Sequence, residues 1–277
     1  FDTRDHVAGN CHTERHETGV MVHTYGPHIF HTQHEHVWEF ITRFGVMMPY
    51  RHRVRAMVGD RAFQMPMNLT LINEFFGTNF SPAEAEAFIA TKADSTITNP
   101  VSFEDQGLRF VGRELYDAFF AGYTKKQWAM HPADLAPSVC GRIPVRFNTD
   151  CRYVDHKHQC TPKEGFTALF AKMIDHPNIT VSLNTPMDQV GAGSWDRMVY
   201  CGALDDYFGR SAGALPYRSV RFDHQVVDVE DGLPVGTVNY PNDFAFTRIT
   251  DFRHLTGEHG PTTATVTPAA CSRAIQS

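Results

Sequence analysis

The sequence predicts an α/β region followed by an α+β region, and three observations support this fold class. The first part of the chain mixes strand and helix patterns, helical periodicity fills the middle, and short β-branched segments cluster after it. No internal repeat occurs, and strands and helices do not alternate regularly along the chain. The 277 residues, of which 42% are hydrophobic and 20% charged, suffice for one large domain or several smaller ones with ample core.

Composition and charge exclude several classes of protein. The net charge of −6 gives no basic surface for nucleic acid, and no apolar run approaches the eighteen or so residues of a membrane span. The first ten residues lack the layout of a signal peptide, and the six cysteines are scattered without a C-x-x-C pair. We therefore expect a cytoplasmic protein with reduced thiols, and a homo-oligomer is left open.

Four segments have the periodicity of amphipathic helices: residues 34–44, 81–91, 111–123 and 165–175. Ser81 is suited to cap the second of them, with Pro82 in the first turn and Glu84 completing a capping box. The third segment places Tyr116, Phe119, Phe120 and Tyr123 on one helical face.

The strand patterns lie mainly in the second half of the chain, at residues 179–183, 197–201, 217–229, 236–240 and 245–254. Residues 142–147 are a further candidate, whose alternation would place Arg142 and Arg146 on one face. The last segment, 267–277, has no period, and we interpret it as a divergent or disordered tail.

Five sequence blocks carry more specific information: HVAGN (6–10), YGPHIFHT (25–32), GYTKKQW (122–128), RIPVRF (142–147) and YPNDFAFTRI (240–249). Their identity and order resemble those of bacterial UDP-galactopyranose mutases. The resemblance implies a partial FAD-binding Rossmann-like domain, an inserted helical domain and an antiparallel β-sheet domain. It assigns residues 1–62 and 191–216 to the FAD-binding domain, 63–136 to the helical domain, 137–190 and 217–266 to the sheet domain, and 267–277 to the tail.

The resemblance also implies which residues contact the cofactor. Dinucleotide-binding folds place an acidic residue at the ribose hydroxyls and glycine where the backbone approaches the ligand. The matching positions here are Asp2, Gly9, Asn10, His28, Ile29 and Gly202. Ala8 stands where the family has glycine, which would crowd the backbone at that point.

The substrate implied by the resemblance is UDP-galactose, which needs aromatic rings for uracil and cations for the diphosphate. Arg142 and Arg248 are the candidate catalytic cations, because a guanidinium group fits phosphate oxygens with a fork of donors. Without the motifs, both would be interpreted as members of surface ion pairs. The other substrate-binding candidates are Asn68, Phe119, Tyr123, Trp128, Tyr153 and Asn239.

The implied reaction is the interconversion of UDP-galactopyranose and UDP-galactofuranose for cell-surface glycans. In the family, N5 of the reduced flavin attacks the anomeric carbon, expels UDP and forms a sugar–flavin adduct. His31 is assigned to the catalytic group because it matches the second histidine of HIFHT, where it would position flavin or sugar. The protein supplies position and charge, and the cofactor supplies the chemistry.

Other hypotheses remain beside this one. Eight of the 16 histidines lie in the first 36 residues, but they form no H-E-x-x-H motif, so we expect no metal site and interpret the remaining histidines as surface residues. The family's glycine-rich turn is expected before Phe1, and no G-x-G-x-x-G occurs in the chain. We therefore expect the chain as given to lack activity. A non-catalytic flavin- or UDP-sugar-binding fragment, a His-rich metalloprotein and a flavin amine oxidase-like protein are the alternatives.

Overall fold

The computed structural model describes residues 1–142, 145–191, 193, 195–215, 217–227, 232–258 and 262–268; of residues 141, 142 and 262–268 only the backbone is described. The strands are β1 Thr13–Arg15, β2 Met21–His23, β3 Phe30–Thr32, β4 Met47–Pro49, β5 Val54–Val58, β6 Arg61–Met65, β7 His158–Pro162, β8 Asp223–Val227, β9 Thr237–Asn239, β10 Phe246–Asp251 and β11 Thr262–Pro268. The α-helices are α1 Glu35–Ile41, α2 Leu69–Phe76, α3 Pro82–Lys92, α4 Phe103–Tyr116, α5 Gly122–Trp128, α6 Gly165–Ile174, α7 Leu204–Tyr207 and α8 Arg253–Thr256.

The described strands form three sheets. The largest has the order β6-β5-β9-β10-β11-β8, in which β5 and β9 are parallel and all other neighbours antiparallel. A second sheet has the order β3-β7-β4, and β1 and β2 form an antiparallel pair. The large sheet therefore takes two strands from residues 54–65, which lie far from its other strands in the sequence.

Three helices in the middle of the chain begin at residues whose side chains cap the helix N-terminus. The prediction of a capping box at Ser81 and Glu84 is confirmed, and a second capping box joins Ser102 to Asp105. Asn68 caps α2, since its side-chain oxygen accepts a hydrogen bond from the Leu71 amide at 3.0 Å. These caps satisfy amide groups that would otherwise lack partners at the helix starts.

The predicted helix over residues 111–123 is present but irregular. Gly112 interrupts α4 with a positive φ of 75°, and Asp117–Ala121 form a π-helical turn before α5 begins. A π turn holds one extra residue, so it rotates the side chains that follow it relative to a regular helix. Here the buried Phe119 and Phe120 lie in the π turn, and Tyr123 lies in the first turn of α5.

The main hydrophobic core lies between these helices and the strands β5 and β6. It includes Phe63, Leu71, Phe103, Leu115 and Tyr116, all 3% exposed or less. Two smaller clusters are formed by Val20, Val22, Phe252 and Leu255, and by Ile41, Phe166 and Leu169.

Several predicted strands are wrong. Residues 179–183 form no strand. Two backbone hydrogen bonds instead join this part of the chain to residues 2–4: the Asp2 amide donates to the Ser182 carbonyl at 2.9 Å, and the Asn184 amide donates to the Arg4 carbonyl at 2.8 Å. Residues 197–201 also form no strand, and Val199 is 86% exposed without a pairing strand among the described residues. Both segments contain residues that favour strands, but neither has a neighbouring strand to pair with among the described residues.

Two further predictions are corrected. Arg142 ends a 3₁₀ helix, Pro137–Arg142, and residues 145–147 are not in a strand, so the predicted strand that places Arg142 and Arg146 on one face is not found in the described residues. The predicted tail begins too early, because Thr267 and Pro268 belong to β11 and lie opposite Arg248 and Phe246 of β10. Residues 269–277 lie outside the described residues.

Candidate active site

A cavity of about 460 Å³ opens over one face of the large sheet. Strands β5, β9 and β10 form its floor, and residues on alternate positions of these strands face it: Val54, Ala56, Thr237, Asn239 and Arg248. The intervening Val238 is 3% exposed and does not line the cavity. The two-residue period of a strand thus separates the cavity face from the opposite face.

Strand register brings the polar floor residues together. Asn239 of β9 lies opposite Arg248 of β10 and opposite Ala56 of β5. Residues directly opposite on neighbouring strands have adjacent side chains. The small Ala56 leaves space above the sheet, and Asn239 and Arg248 form the polar part of the floor.

Helix α5 supplies the polar side wall. The Arg248 guanidinium donates a hydrogen bond to the Tyr123 hydroxyl and lies 5.8 Å from the centre of the Tyr123 ring. Phe119 also lines the cavity, although it is 4% exposed and packs edge-on against Phe63 and Phe75 of the main core. Phe119 is therefore a core residue with one edge at the cavity.

The segment before and within β3 forms another wall, with Pro27, His28, Ile29 and His31. Nδ1 of His31 lies 2.8 Å from Nδ1 of His156, so one of these two nitrogens carries the proton of the hydrogen bond. Burial and, secondarily, the charge of His156 lower the pKa of His31. The lowered pKa favours the neutral form of His31, and the hydrogen bond to His156 orients its ring beside the cavity.

Two residues of the cavity, Tyr153 and His52, have strongly shifted ionisation. Desolvation raises the pKa of the Tyr153 hydroxyl, which like any tyrosine hydroxyl is a hydrogen-bond donor at neutral pH. Burial and the nearby Arg248 lower the pKa of His52 to about 4, and its Nδ1 lies 3.1 Å from the Tyr50 hydroxyl. Sequence reasoning missed His52; the alternation of buried Val54 and Ala56 along β5, extended backwards by one step, would have placed it on the cavity face.

One buried polar atom of the floor has no partner in the described part of the chain. The side-chain oxygen of Asn239 is shielded from solvent and accepts no hydrogen bond from any described residue. A buried polar atom without a partner costs about 1–3 kcal/mol. Because Asn239 lines the cavity, a ligand with a hydroxyl or amide donor there would satisfy it.

Several predicted site residues lie away from this cavity. Trp128 ends α5, is 37% exposed and is not among the lining residues. Asn68 is completely buried, and both ends of its amide bond to backbone, at Leu71 N and Asp150 O. The structure thus gives Asn68 the role of a helix cap. Arg142 ends a 3₁₀ helix, and its side chain is outside the described part.

The predicted cofactor residues at the start of the chain form a separate cluster. The Asp2 carboxylate accepts from the Arg4 amide at 2.9 Å, and the Arg4 side chain donates to Asn10 at 2.8 Å. Ala8 and Gly9 both have positive φ, 73° and 53°. Gly202 lies in an exposed segment before α7. Of the six predicted cofactor residues, only His28 and Ile29 line the cavity.

The interpretation of the remaining histidines as surface residues is wrong for His23. Its side chain is 2% exposed, stacks on Phe252 and accepts a hydrogen bond from the His28 amide at 3.0 Å. Burial, followed by the charge of His28, lowers the pKa of His23 to about 3. Within the described residues no three His, Cys, Asp or Glu side chains come together to hold a metal ion, and no helix there has the length and apolar character needed to cross a membrane.

A family model described as UDP-galactopyranose mutase matches residues 118–277, which is more than half of the chain and includes Tyr123, Tyr153, Asn239 and Arg248. The chain belongs to the UDP-galactopyranose mutase family. A second model, for an NAD(P)-binding Rossmann-like domain, matches residues 1–44. Family membership and the Rossmann-like match together imply FAD as the cofactor.

Relatives of this mutase-family chain are similar over most of its length. A probable UDP-galactopyranose mutase of Klebsiella pneumoniae is 43% identical over 92% of this chain and 67% of its own length. A dTDP-fucopyranose mutase of Escherichia coli is 40% identical over 92% of this chain and 70% of its own length. A UDP-galactopyranose mutase of Mycoplasma pneumoniae is 30% identical over 93% and 69%, respectively.

The fold of the mutase-family chain is also found in solved structures. The crystal structure of a reduced UDP-galactopyranose mutase superposes with a TM-score of 0.66 at 14% identity, covering 98% of this chain and 68% of that one. A putrescine oxidase variant superposes with a TM-score of 0.50 at 12% identity, covering 96% and 68%. The similarity to the putrescine oxidase variant is one of fold, whereas the family model assigns the chain to the mutase family.

Proposed function

We propose that this chain carries the site at which UDP-galactopyranose and UDP-galactofuranose are interconverted, for galactofuranose-containing glycans of the cell surface. The observation that carries the proposal is the polar end of the cavity, where Arg248, Tyr123 and Asn239 meet. A cation, a phenol and an unpartnered amide oxygen beside an apolar wall suit a nucleotide diphosphate joined to a sugar. We also propose that the reaction takes place in the cytoplasm.

Arg248 is the proposed contact to the diphosphate. Its guanidinium is already held by Tyr123, so it meets the phosphate oxygens without first being ordered. Preorganised cations stabilise charge that grows on a leaving group, which here is the diphosphate. Tyr153, which lines the same cavity, is the proposed second donor. The contribution of Arg142 stays a prediction.

The apolar part of the lining, from the segment before β3 and from strands β5 and β6, fits a flat ring system. His28 and Ile29 line the cavity together with Val54 and Met65, which gives an apolar surface with an imidazole at its edge. These residues would hold the flavin ring of FAD, while Asp2, Gly9, Asn10 and Gly202 stay predicted contacts for its other parts. Bound in its reduced form, FAD would supply the nucleophile that releases the sugar from the diphosphate.

A second candidate substrate is dTDP-fucopyranose. It is favoured by the 40% identity to a dTDP-fucopyranose mutase, which is close to the 43% identity to a probable UDP-galactopyranose mutase. The two substrates share the diphosphate, so Arg248 and Tyr123 would serve both. They differ by a methyl group on the base, by the 2′-hydroxyl of the ribose and by the hydroxyl at carbon 6 of the sugar.

The test is turnover of both furanose substrates by the purified chain after addition of FAD and dithionite, followed by chromatography of the sugar nucleotides. Conversion of UDP-galactofuranose at a higher kcat/KM than dTDP-fucofuranose would support the proposal, and it would contradict the expectation from the sequence that the chain as given lacks activity. The reverse preference would reassign the substrate. Binding of UDP without turnover of either compound would contradict catalysis by this chain and support the binding-fragment hypothesis.

A further inference from the structure

The turn between β9 and β10 rests on one face of the segment that contains the π turn and α5. Residues 118, 122 and 126 are spaced four apart in this segment, and all three contact the turn. The same turn joins the strand of Asn239 to the strand of Arg248. Contacts along this face therefore connect the floor of the cavity to its side wall.

Lys126 makes the central contact. Its ammonium group donates hydrogen bonds to three backbone carbonyls of the turn: Tyr240 O, Phe244 O at 2.9 Å and Phe246 O at 3.0 Å. A lysine ammonium group has three donors, and each of them has one acceptor here. The carbonyls belong to both ends of the turn, so Lys126 holds its two ends together against α5.

Gly122 and Asn242 complete the contact. A Cβ atom added at Gly122 would lie 2.5 Å from both the Pro241 carbonyl and the Asn242 side-chain oxygen, so only glycine allows the turn to approach so closely. The Asn242 side-chain amide donates to the Ala118 carbonyl at 3.0 Å. Each of these hydrogen bonds thus joins a side chain of one segment to a main-chain carbonyl of the other.

We propose that Lys126 is a positioning residue for the diphosphate site, acting through the turn to fix Arg248 against Tyr123. Arg248 follows Phe246 by two residues, and Tyr123 precedes Lys126 by three. The hydrogen bonds of Lys126 to the turn therefore lie near the Arg248–Tyr123 hydrogen bond along both segments. This inference rests on the proposed function, since it assigns Lys126 to the same site. Lys126 itself lies outside the lining of the cavity.

The adjacent Lys125 provides a matched control. It has the same side chain on the same helix, but it is exposed, and no hydrogen bond or ion pair joins it to any described residue. A surface lysine contributes little to the fixed structure. Replacement of Lys125 by methionine therefore measures the general effect of losing a charge from this helix.

The first experiment measures UDP binding by calorimetry for the FAD-treated chain and for Lys126→Met, Lys125→Met and Arg248→Lys. We expect Lys126→Met to weaken UDP binding by about ten-fold or more, because displacement of a binding group by about an ångström is costly. Lys125→Met is expected to bind like the wild type. Circular dichroism confirms that each variant is folded, and Asn242→Ala is the milder second variant if Lys126→Met is not.

A double-mutant cycle separates positioning from a general structural role. If Lys126 acts through Arg248, the Lys126→Met and Arg248→Lys effects are not additive, and Arg248→Lys costs much less in the Lys126→Met background. Additive effects, or unchanged UDP affinity in Lys126→Met, would overturn the proposal while leaving the proposed function intact.

A measurement without ligand decides the proposal even if UDP does not bind. Amide hydrogen exchange of residues 240–248 is expected to be faster in Lys126→Met than in the wild type and in Lys125→Met. Unchanged exchange in Lys126→Met would overturn the proposal. Failure of the wild type to bind UDP would contradict the proposed function, and the exchange result would still show whether Lys126 fixes the turn.

Discussion

Arg248 is the residue on which most features of the candidate site depend. It donates to the Tyr123 hydroxyl and lies opposite Asn239 in the sheet. Burial and, after it, the charge of Arg248 lower the pKa of His52, since a cation disfavours a second one nearby. Among the described lining residues, Arg248 is thus a permanent positive charge beside uncharged donors and acceptors.

We expect Arg248→Lys to reduce kcat by about a hundred-fold or more, the usual cost of removing one preorganised donor at a developing charge. Lysine keeps the charge but loses the planar fork that can bond to Tyr123 and phosphate together. The kinetics are measured with UDP-galactofuranose under reducing conditions. Arg43→Lys is the control, because Arg43 is exposed, lies over the rings of the exposed Phe40 and the half-buried Phe44, and should leave kcat unchanged.

Ala8 carries a conformational cost that a single substitution can relieve. Its φ of 73° is in the left-handed region, which costs an L-residue with a Cβ atom roughly 1–2 kcal/mol. Ala8→Gly removes this cost, and part of the gain is lost to the greater freedom of glycine in the unfolded chain. We expect a net stabilisation of up to about 1 kcal/mol, measured by urea denaturation.

Ala87→Gly is the matched control for this prediction. Ala87 is exposed within helix α3, where glycine is about 1 kcal/mol less favourable than alanine. The same chemical change should therefore have opposite signs at the two positions. Destabilisation by both substitutions would show that the left-handed conformation of Ala8 imposes no cost.

At the scale of elements, the site depends on the junction of the sheet with the helical segment. Strands β5, β9 and β10 determine which side chains face the cavity, and the π turn at Asp117–Ala121 determines how α5 faces them. Strand β5 reaches β9 from residues nearly two hundred positions earlier in the chain. The cavity therefore forms only when the large sheet and the helical middle have both assembled.

The start of α4 offers a test of how one helix terminus contributes. Ser102 is 5% exposed, and its side chain accepts from the Asp105 amide at 3.1 Å. We expect Ser102→Ala to lower the free energy of unfolding by about 1 kcal/mol, since an amide of the first turn loses its partner. Ser95→Ala, in an exposed turn, should change stability by less than about 0.5 kcal/mol in the same denaturation experiment.

For the whole molecule, His23 connects regions that are distant in sequence. Its ring stacks on Phe252 at 5.4 Å and meets Phe166 edge-on at 5.7 Å, while its Nδ1 accepts from the His28 amide. Phe252 and Phe166 belong to the two smaller hydrophobic clusters. Protonation of His23 would place a charge between these clusters and remove the acceptor for His28.

Stability should therefore fall as the pH is lowered from about 6.5 to about 4. The pKa of His23 is lowered to about 3 and that of His52 to about 4 in the folded protein, against 6.5 for an ordinary histidine. In this window the unfolded chain binds protons that the folded chain does not, and each histidine adds a slope on the order of 1 kcal/mol per pH unit. The measurement is urea denaturation at several pH values.

A variant isolates the contribution of His23. His23→Asn keeps a neutral acceptor near the position of Nδ1 but cannot be protonated, so its stability should depend less steeply on pH than that of the wild type. His36→Asn, at an exposed position, should retain the wild-type dependence. Equal slopes for wild type and His23→Asn would contradict the assignment of this pH dependence to His23.

The sequence by itself determined the features that depend on local chemistry. The helices near residues 35–41 and 82–92 and the capping box at Ser81 were predictable, because they rest on periodicity and on contacts within one turn. The motif blocks were sufficient for the family, and they already contained His31, Tyr123 and Arg248. That these residues bind substrate is the proposal that the experiments above test.

Only the tertiary structure decided which of these residues come together. Strands β5 and β6 are short and were not predicted, because their stability comes from pairing with β9 and from burial under the helices. The same dependence on a partner explains why residues 197–201 resemble a strand but form none. The contacts that give His52, Lys126 and Asn239 their environments come from segments about 120 to 200 residues away in the chain, which is a distance that local sequence patterns do not report.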